Sequence, residues 1–251
     1  MKSRKISRRN FVQNSFAGMG TLALPNIFQQ SPQSPFKALR IVCVGGHPDD
    51  PESGCGGTLA RMVDLGHSVT ILYLTRGEAG IPGKSHDESA AIRSKEAEAA
   101  CRILKAKPVF AGQIDGDTVV SSEWITKLQQ LLEAESPDIV FTQWPVDTHK
   151  DHQAASLLTQ QAYFRLKRAF SLYFYEVCNG EQTQIFRPTD YVDITATQAR
   201  KKESVYCHVS QDPPGIYNCG HAAMEEFRGR EIGVKAAEAF VKMNPINSSI
   251  S

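Results

Sequence analysis

The 251-residue sequence contains no C-x-x-C pair, no internal repeat and no apolar run that approaches the length of a bilayer span. The first absence excludes a thiolate zinc site of the usual spacing. The second excludes a repeat array, and the third a transmembrane helix, which needs roughly 18 to 20 apolar residues. Acidic residues are absent before Asp49. Because Lys2, Arg4, Lys5, Arg8 and Arg9 crowd the same end, the net charge of +1 conceals a mildly acidic body. Nucleic-acid binding rests on basic clusters that displace counterions, so no nucleic acid is expected among the partners.

What the chain does have begins with an address. Ser7-Arg8-Arg9-Asn10-Phe11-Val12, followed by the short hydrophobic stretch FAGMGTLAL and Pro25, resembles a twin-arginine export signal without a clear A-x-A cleavage site. Residues 26–35 read as a Pro/Ser/Gln linker. The expected division is therefore a signal and linker at 1–36 and one folded domain at 37–251. The implied partner is the twin-arginine export machinery, with a periplasmic or secreted protein and no stable membrane insertion after export. In such a compartment the six cysteines permit disulfides. Cys43 and Cys101 sit in apolar strand and helix patterns and read as buried thiols, which leaves Cys178, Cys207 and Cys219 as the candidates for a bridge.

From residue 39 the chain alternates between two periodicities. Apolar runs at 39–44 and 68–75 predict strands, with a helix over 53–65 between them. Helices follow at about 88–105, 123–134 and 152–168, and strands near 108–111, 138–142, 172–177 and 191–194. Two further helical stretches are expected at about 196–207 and 222–241. This alternation predicts an α/β fold of three layers, with a mainly parallel sheet covered by helices on both faces.

The stretch GGHPDDPESGCGG falls at the carboxyl end of the first strand, where open α/β sheets hold their ligands. Asp50 as a cap, Pro51 in the first turn and Glu52 at the positive end of the dipole suit a helix start. None of that accounts for His47 beside two aspartates. A second polar cluster, Pro145-Val146-Asp147-Thr148-His149-Lys150-Asp151-His152, follows the strand at 138–142. In a parallel sheet the two clusters share one edge, and a His, an Asp and a second His suit a zinc-type cation with one position left for water. Glycines at 54, 56 and 57 do not form G-x-G-x-x-G, and the carboxylates would repel a pyrophosphate, so a dinucleotide site is not indicated.

His47-Pro48-Asp49-Asp50-Pro51-Glu52 together with His149-Lys150-Asp151-His152 resembles the PIG-L/LmbE-like family of zinc-dependent N-acetylglucosaminyl deacetylases. Thr75-Arg76-Gly77-Glu78, Arg93-x-x-Glu96 with Ala100, and His208-Val209-Ser210-Gln211 after Lys202 extend the likeness over most of residues 39–211. The resemblance implies a Rossmann-like fold that removes acyl groups from amino sugars or related amines. It makes His47, Asp50 and His152 the ligands of Zn2+ (or of another divalent metal such as Fe2+). Asp49 becomes the general base, a protonated His149 the oxyanion partner and rival proton donor, Asp151 the group that orients a histidine, and Arg93 a substrate contact. Arg76, Glu78 and His208 have plain loop or hydrogen-bonding readings beside functional ones.

The chain departs from the family pattern at Pro51, at Lys150 where proline is usual, and at Gly46 where alanine is common; none removes a ligand or the base. In the variable segments, Asp115 and Asp117 of GQIDGDT read as sugar contacts or turns, and DPPGIYNCG as a lid with Tyr217 for stacking or a connector. The expected substrate is a small-molecule or glycan N-acetyl amine. An amide of a non-sugar amine and non-catalytic carbohydrate binding are the alternatives.

Overall fold

The computed structural model describes residues 37–178 and 180–243, without the Cys219 side chain. The expected signal and linker lie outside the described residues. The domain is built from β1 (Arg40–Gly45), α1 (Asp50–Asp64), β2 (Ser68–Tyr73), α2 (His86–Leu104), β3 (Lys107–Phe110), α3 (Ser122–Glu135), β4 (Ile139–Gln143) and α4 (Lys150–Arg165). It continues with β5 (Ser171–Tyr175), β6 (Asp190–Asp193), α5 (Gln198–Val205), the short α6 (Pro213–Ile216), α7 (Ala222–Ile232) and β7 (Ala237–Lys242). Strand order is β3-β2-β1-β4-β5-β7-β6, with β1 to β5 parallel and β7 antiparallel to both its neighbours. This is the expected α/β architecture with a mainly parallel sheet.

The continuous apolar strands follow from burial on both faces. Along β1, Val42 and Val44 join a core with Leu128, Leu132, Ala155 and Leu158 of α3 and α4. The alternate residues Ile41 and Cys43 join a second core with Cys55, Leu59, Ala97 and Leu104 of α1 and α2. Since the chain runs from β1 outward to β3 and then returns to β4 on the other side, the sheet's switch point lies between β1 and β4. At that point the carboxyl ends of two adjacent strands diverge into a crevice.

The late part of the chain departs from expectation: α6 falls in the stretch read as a lid or connector, and β7 replaces the end of a helix. The helix expected over 222–241 stops at Ile232, where Gly233 takes a left-handed cap at φ 76°, and residues 237–242 instead form β7. Phe240 and Ala239 pair with β6, Phe240 with Tyr175, and both are buried. The alanine-rich composition favours a helix, but a slot between two strands overrides local propensity. Among the cysteines, Cys178 and Cys207 are free thiols, as are Cys43, Cys55 and Cys101. No helix among the described residues is long and apolar enough to cross a membrane.

The segment from β6 to β7 is tied to α1 by an ionic cluster. Lys201 of α5 is 1% exposed, and its Nζ lies 2.9 Å from Glu225 and 2.6 Å from Glu238. Glu238 also accepts the backbone N–H groups of Gly57 at 3.0 Å and Thr58 at 2.7 Å. Removing one partner of such a cluster strands the others without water. Lys201→Met is expected to cost about 3–5 kcal/mol, read as a lowered midpoint in thermal or denaturant unfolding. Lys201→Met/Glu238→Gln should recover part of that loss; an unchanged midpoint in the single variant would show that the cluster does not hold the segment.

Candidate active site and metal centre

Two loops at the switch point carry the site. After β1, the backbone turns through Gly46 to Asp49, and the Asp50 carboxylate closes the turn by accepting the His47 N–H at 2.7 Å. Asp50 is thus the first residue of α1 and not its cap. The capping position belongs to Asp49, whose side chain makes no cap bond and whose backbone sits at φ 106°. After β4, Asp147 accepts the His149 N–H at 2.8 Å, and His149 caps α4 by accepting the Asp151 N–H at Nδ1.

Across the crevice the loops meet at one carboxylate. Asp50 Oδ2 lies 3.1 Å from His47 Nδ1, and Asp50 Oδ1 lies 3.2 Å from His152 Nε2. All three side chains are buried. The other ring nitrogen of each histidine has its own carboxylate. His47 Nε2 is 3.1 Å from both Asp115 and Asp151, and His152 Nδ1 is 3.1 Å from Asp147. Asp151 is fixed in turn by Thr118 Oγ1 at 2.5 Å and the Gly116 N–H at 2.7 Å, and Asp147 by Thr183 at 3.1 Å. These outer carboxylates set the orientation and basicity of the imidazoles they face.

The electrostatics follow from this crowding. Burial works against charge on His152, yet Asp50 and Asp147 hold its pKa up at about 9. His47 is likewise raised well above the ordinary value, burial being outweighed by Asp115, Asp151 and Asp50. Burial opposes ionisation of Asp50 too, but the His152 and His47 imidazoles hold its carboxyl well below the usual range. For Asp49 burial dominates and raises the pKa, with the Arg93 guanidinium pulling the other way. His149 is shifted down, first by burial and then by His47 and His152, so it is neutral and carries its proton on Nε2 while Nδ1 accepts. This downward shift runs against the protonated His149 expected from the sequence.

Two buried imidazoles bridged by a carboxylate and flanked by three more make a donor set that fits a divalent cation of the zinc type, which would replace the imidazole protons as the balancing charge. The ligand atoms of His47, His149 and His152 lie within 4.8 Å of one another, as do those of His47, Asp115 and Asp151. His47, Asp50 and His152 could hold the ion between them, with His149 and Asp115 beside them.

These groups line a cavity of about 790 Å³, with Asp49, Arg93, Gly116, Cys178, Glu181, Gln211, Gly215 and His221 among its other walls. Cys178 Sγ lies 3.5 Å from His221 Nε2. Several sequence readings resolve here. Arg76 and Glu78 stay out of the cavity: Glu78 braces the loop by accepting the N–H groups of Arg76 and Asp115, both at 3.1 Å. His208 is fully buried 3.2 Å from Glu52, which also accepts the Tyr73 hydroxyl at 2.5 Å. Tyr217 is buried with its hydroxyl donating to Glu225, so it offers no stacking face. Asp115 belongs to the histidine cluster, and Asp147 has a definite partner; the sequence signalled them only as a loop aspartate and as part of a motif.

The profile of the GlcNAc-PI de-N-acetylase (PIG-L) family matches residues 42–163. A diacetylchitobiose deacetylase of Thermococcus kodakarensis is 28% identical over 71% of this chain and 72% of its own length. In structure, a conserved protein of Thermus thermophilus is 36% identical at TM-score 0.72, over 83% of this chain and 96% of its own. An N,N'-diacetylchitobiose deacetylase from Pyrococcus horikoshii is 25% identical at TM-score 0.74, over 100% and 99%. A 4-oxalmesaconate hydratase of Pseudomonas putida is also similar, 23% identical over 88% of this chain and 92% of its own length. The chain belongs to the PIG-L family.

Chelator-treated protein is expected to rebind roughly one Zn2+ per chain, measured by elemental analysis after dialysis. Asp50→Ala should abolish that binding. Asp147→Asn, which frees His152 Nδ1, should weaken it about 10- to 100-fold; full affinity in both variants would place the ion elsewhere.

Proposed function

We propose that this protein is a zinc-dependent N-deacetylase that hydrolyses the acetamide of an N-acetylglucosamine-type amino sugar or a closely related N-acyl amine. The observation that carries this reading is the buried His47–Asp50–His152 bridge with an uncapped, raised-pKa carboxylate, Asp49, beside it on the wall of a cavity sized for a sugar. Membership of a family whose relatives include deacetylases supports it.

A zinc ion held by His47, Asp50 and His152 would supply Lewis acidity at the amide carbonyl and lower the pKa of water there to about 7. Asp49 takes the proton of the attacking water; its raised pKa brings it closer to the working pH, where a general base is most effective. The neutral His149 donates from Nε2 to the carbonyl oxygen as negative charge develops on it. Asp151 keeps the His47 ring in register, and Asp147 does the same for His152. Asp49 then returns its proton to the departing amine.

The wall charge separates this chemistry from its rivals. Among the residues lining the cavity, Arg93 is the only lysine or arginine, against Asp49, Asp50, Asp115 and Glu181. Such a wall repels a polycarboxylate of the kind a hydratase relative takes, and it favours a neutral acetamide whose product is an ammonium ion. A non-sugar N-acyl amine meets the same conditions and is the second reading. We also propose export by the twin-arginine route, on the strength of Arg8-Arg9 and the stretch that follows them.

Acetate release from N-acetylglucosamine, N-acetylated oligosaccharides and simple N-acetyl amines tests the proposal. Turnover should require metal. Asp49→Asn should keep its metal and lose about 10²- to 10⁴-fold in rate; undiminished turnover in that variant would remove Asp49 as the base, and no acetate from any sugar substrate would remove the amino-sugar assignment.

A further inference from the structure

Arg93 is placed unlike an ordinary substrate ligand. It projects from α2, is 3% exposed, and its NH2 donates to two acceptors of the β1–α1 loop: the Pro48 carbonyl at 2.6 Å and Asp49 Oδ2 at 3.2 Å. The Pro48 carbonyl belongs to the peptide bond entering Asp49, so holding it fixes rotation about that residue's φ. On the other side, the Asp49 carbonyl accepts the Ser53 N–H at 2.9 Å. The residue so pinned sits at φ 106°, outside the regions that L side chains favour.

The guanidinium lies on a floor that only glycine permits. A Cβ on Gly80 would stand 2.2 Å from Arg93 NH1, and one on Gly77 2.4 Å from the same atom. The loop that carries this floor is itself tied down, with Gly80 O accepting from Gln211 at 3.0 Å and the Ala79 N–H donating to Asp115 at 3.2 Å.

We propose that Arg93 is a positioning residue for the proposed general base: it clamps the Pro48–Asp49 peptide so that the strained backbone aims the Asp49 carboxylate into the cavity, with Gly77 and Gly80 as the seat of the clamp. This rests on the deacetylase reading for its kinetic consequence but not for its structural one. Backbone strain persists where surrounding contacts over-determine it, and Arg93 supplies two such contacts. A lysine, with a point charge in place of a fork, cannot hold both acceptors in the same geometry.

The test separates aiming from binding. With a productive N-acetyl substrate, Arg93→Gln and Gly80→Ala are expected to lower kcat roughly 10- to 100-fold, the cost of a small misplacement, with KM changed by less than about threefold. Arg93→Lys should recover only part of the rate. A raised KM with kcat retained would make Arg93 a substrate ligand and overturn the proposal. The second readout needs neither substrate nor turnover: a crystal structure of Arg93→Gln should show Asp49 out of the positive-φ region or its carboxylate displaced. Asp49 unmoved in that structure would overturn the clamp. Absence of acetate release by the wild-type protein would count against the deacetylase reading and leave the crystal structure to decide the clamp.

Discussion

Everything at the functional end of this domain depends on one carboxylate accepting from two sides. Asp50 Oδ2 serves the His47 N–H and lies against Nδ1 of the same residue, while Oδ1 faces His152 Nε2 across the crevice. That contact joins the first loop of the sheet to the fourth, more than 100 residues apart in sequence. It exists because β1 and β4 are neighbours at the switch point and both run toward the same edge. Without it, four or five carboxylates would face one another with too little positive charge between them.

Charge balance here is local and costly. Burying ions forfeits hydration that only good geometry and further hydrogen bonds can offset. The domain meets that demand by giving His47 three carboxylate partners and His152 two, and by giving the outer carboxylates their own donors: Thr118 and Gly116 for Asp151, Thr183 for Asp147, the Ala79 N–H for Asp115. A network satisfied to this depth resists rearrangement, which suits the ion and neighbouring base that we propose for this site. The Lys201 cluster repeats the solution away from the cavity, where Glu225 and Glu238 share one ammonium and fasten the late segment of the chain to α1.

The fold was legible because its central strands are doubly buried and helices begin on polar caps such as Ser85, Ser121 and His149; boundaries from β1 to β5 differ from expectation by only a few residues. The loss of legibility at β7 has a physical cause. Residues 236–239 are Ala-Ala-Glu-Ala, good helix formers, and only the vacancy between β5 and β6 makes them a strand. In the site, His47, Asp49, Asp50, His149, Asp151 and His152 stood out because contiguous motifs carry them. Asp115 did not, since a loop aspartate in GQIDGDT has a turn reading of equal weight until the sheet brings it to His47 Nε2. Tyr217 stayed open between two readings for the opposite reason: its neighbours Gly215 and Gly220 reach the cavity, while its own ring turns inward to Glu225.

A His/Asp/His donor set does not by itself specify a reaction, and this chain is similar to proteins with deacetylase and with hydratase names. What discriminates must lie in the groups that meet the substrate away from that donor set. In this chain those groups include Asp49, Asp115 and Glu181, and the one arginine on the cavity wall is spent on Pro48 and Asp49. A polyanionic substrate would therefore find no free lysine or arginine on that wall, whereas the acetamide we propose would bring no charge in and would release an amine that the same carboxylates stabilise as it protonates. In the deacetylation we propose, such a wall would act on the product side, where charge first appears on the leaving group, and this is the point at which electrostatic preorganisation favours a transition state over the bound substrate.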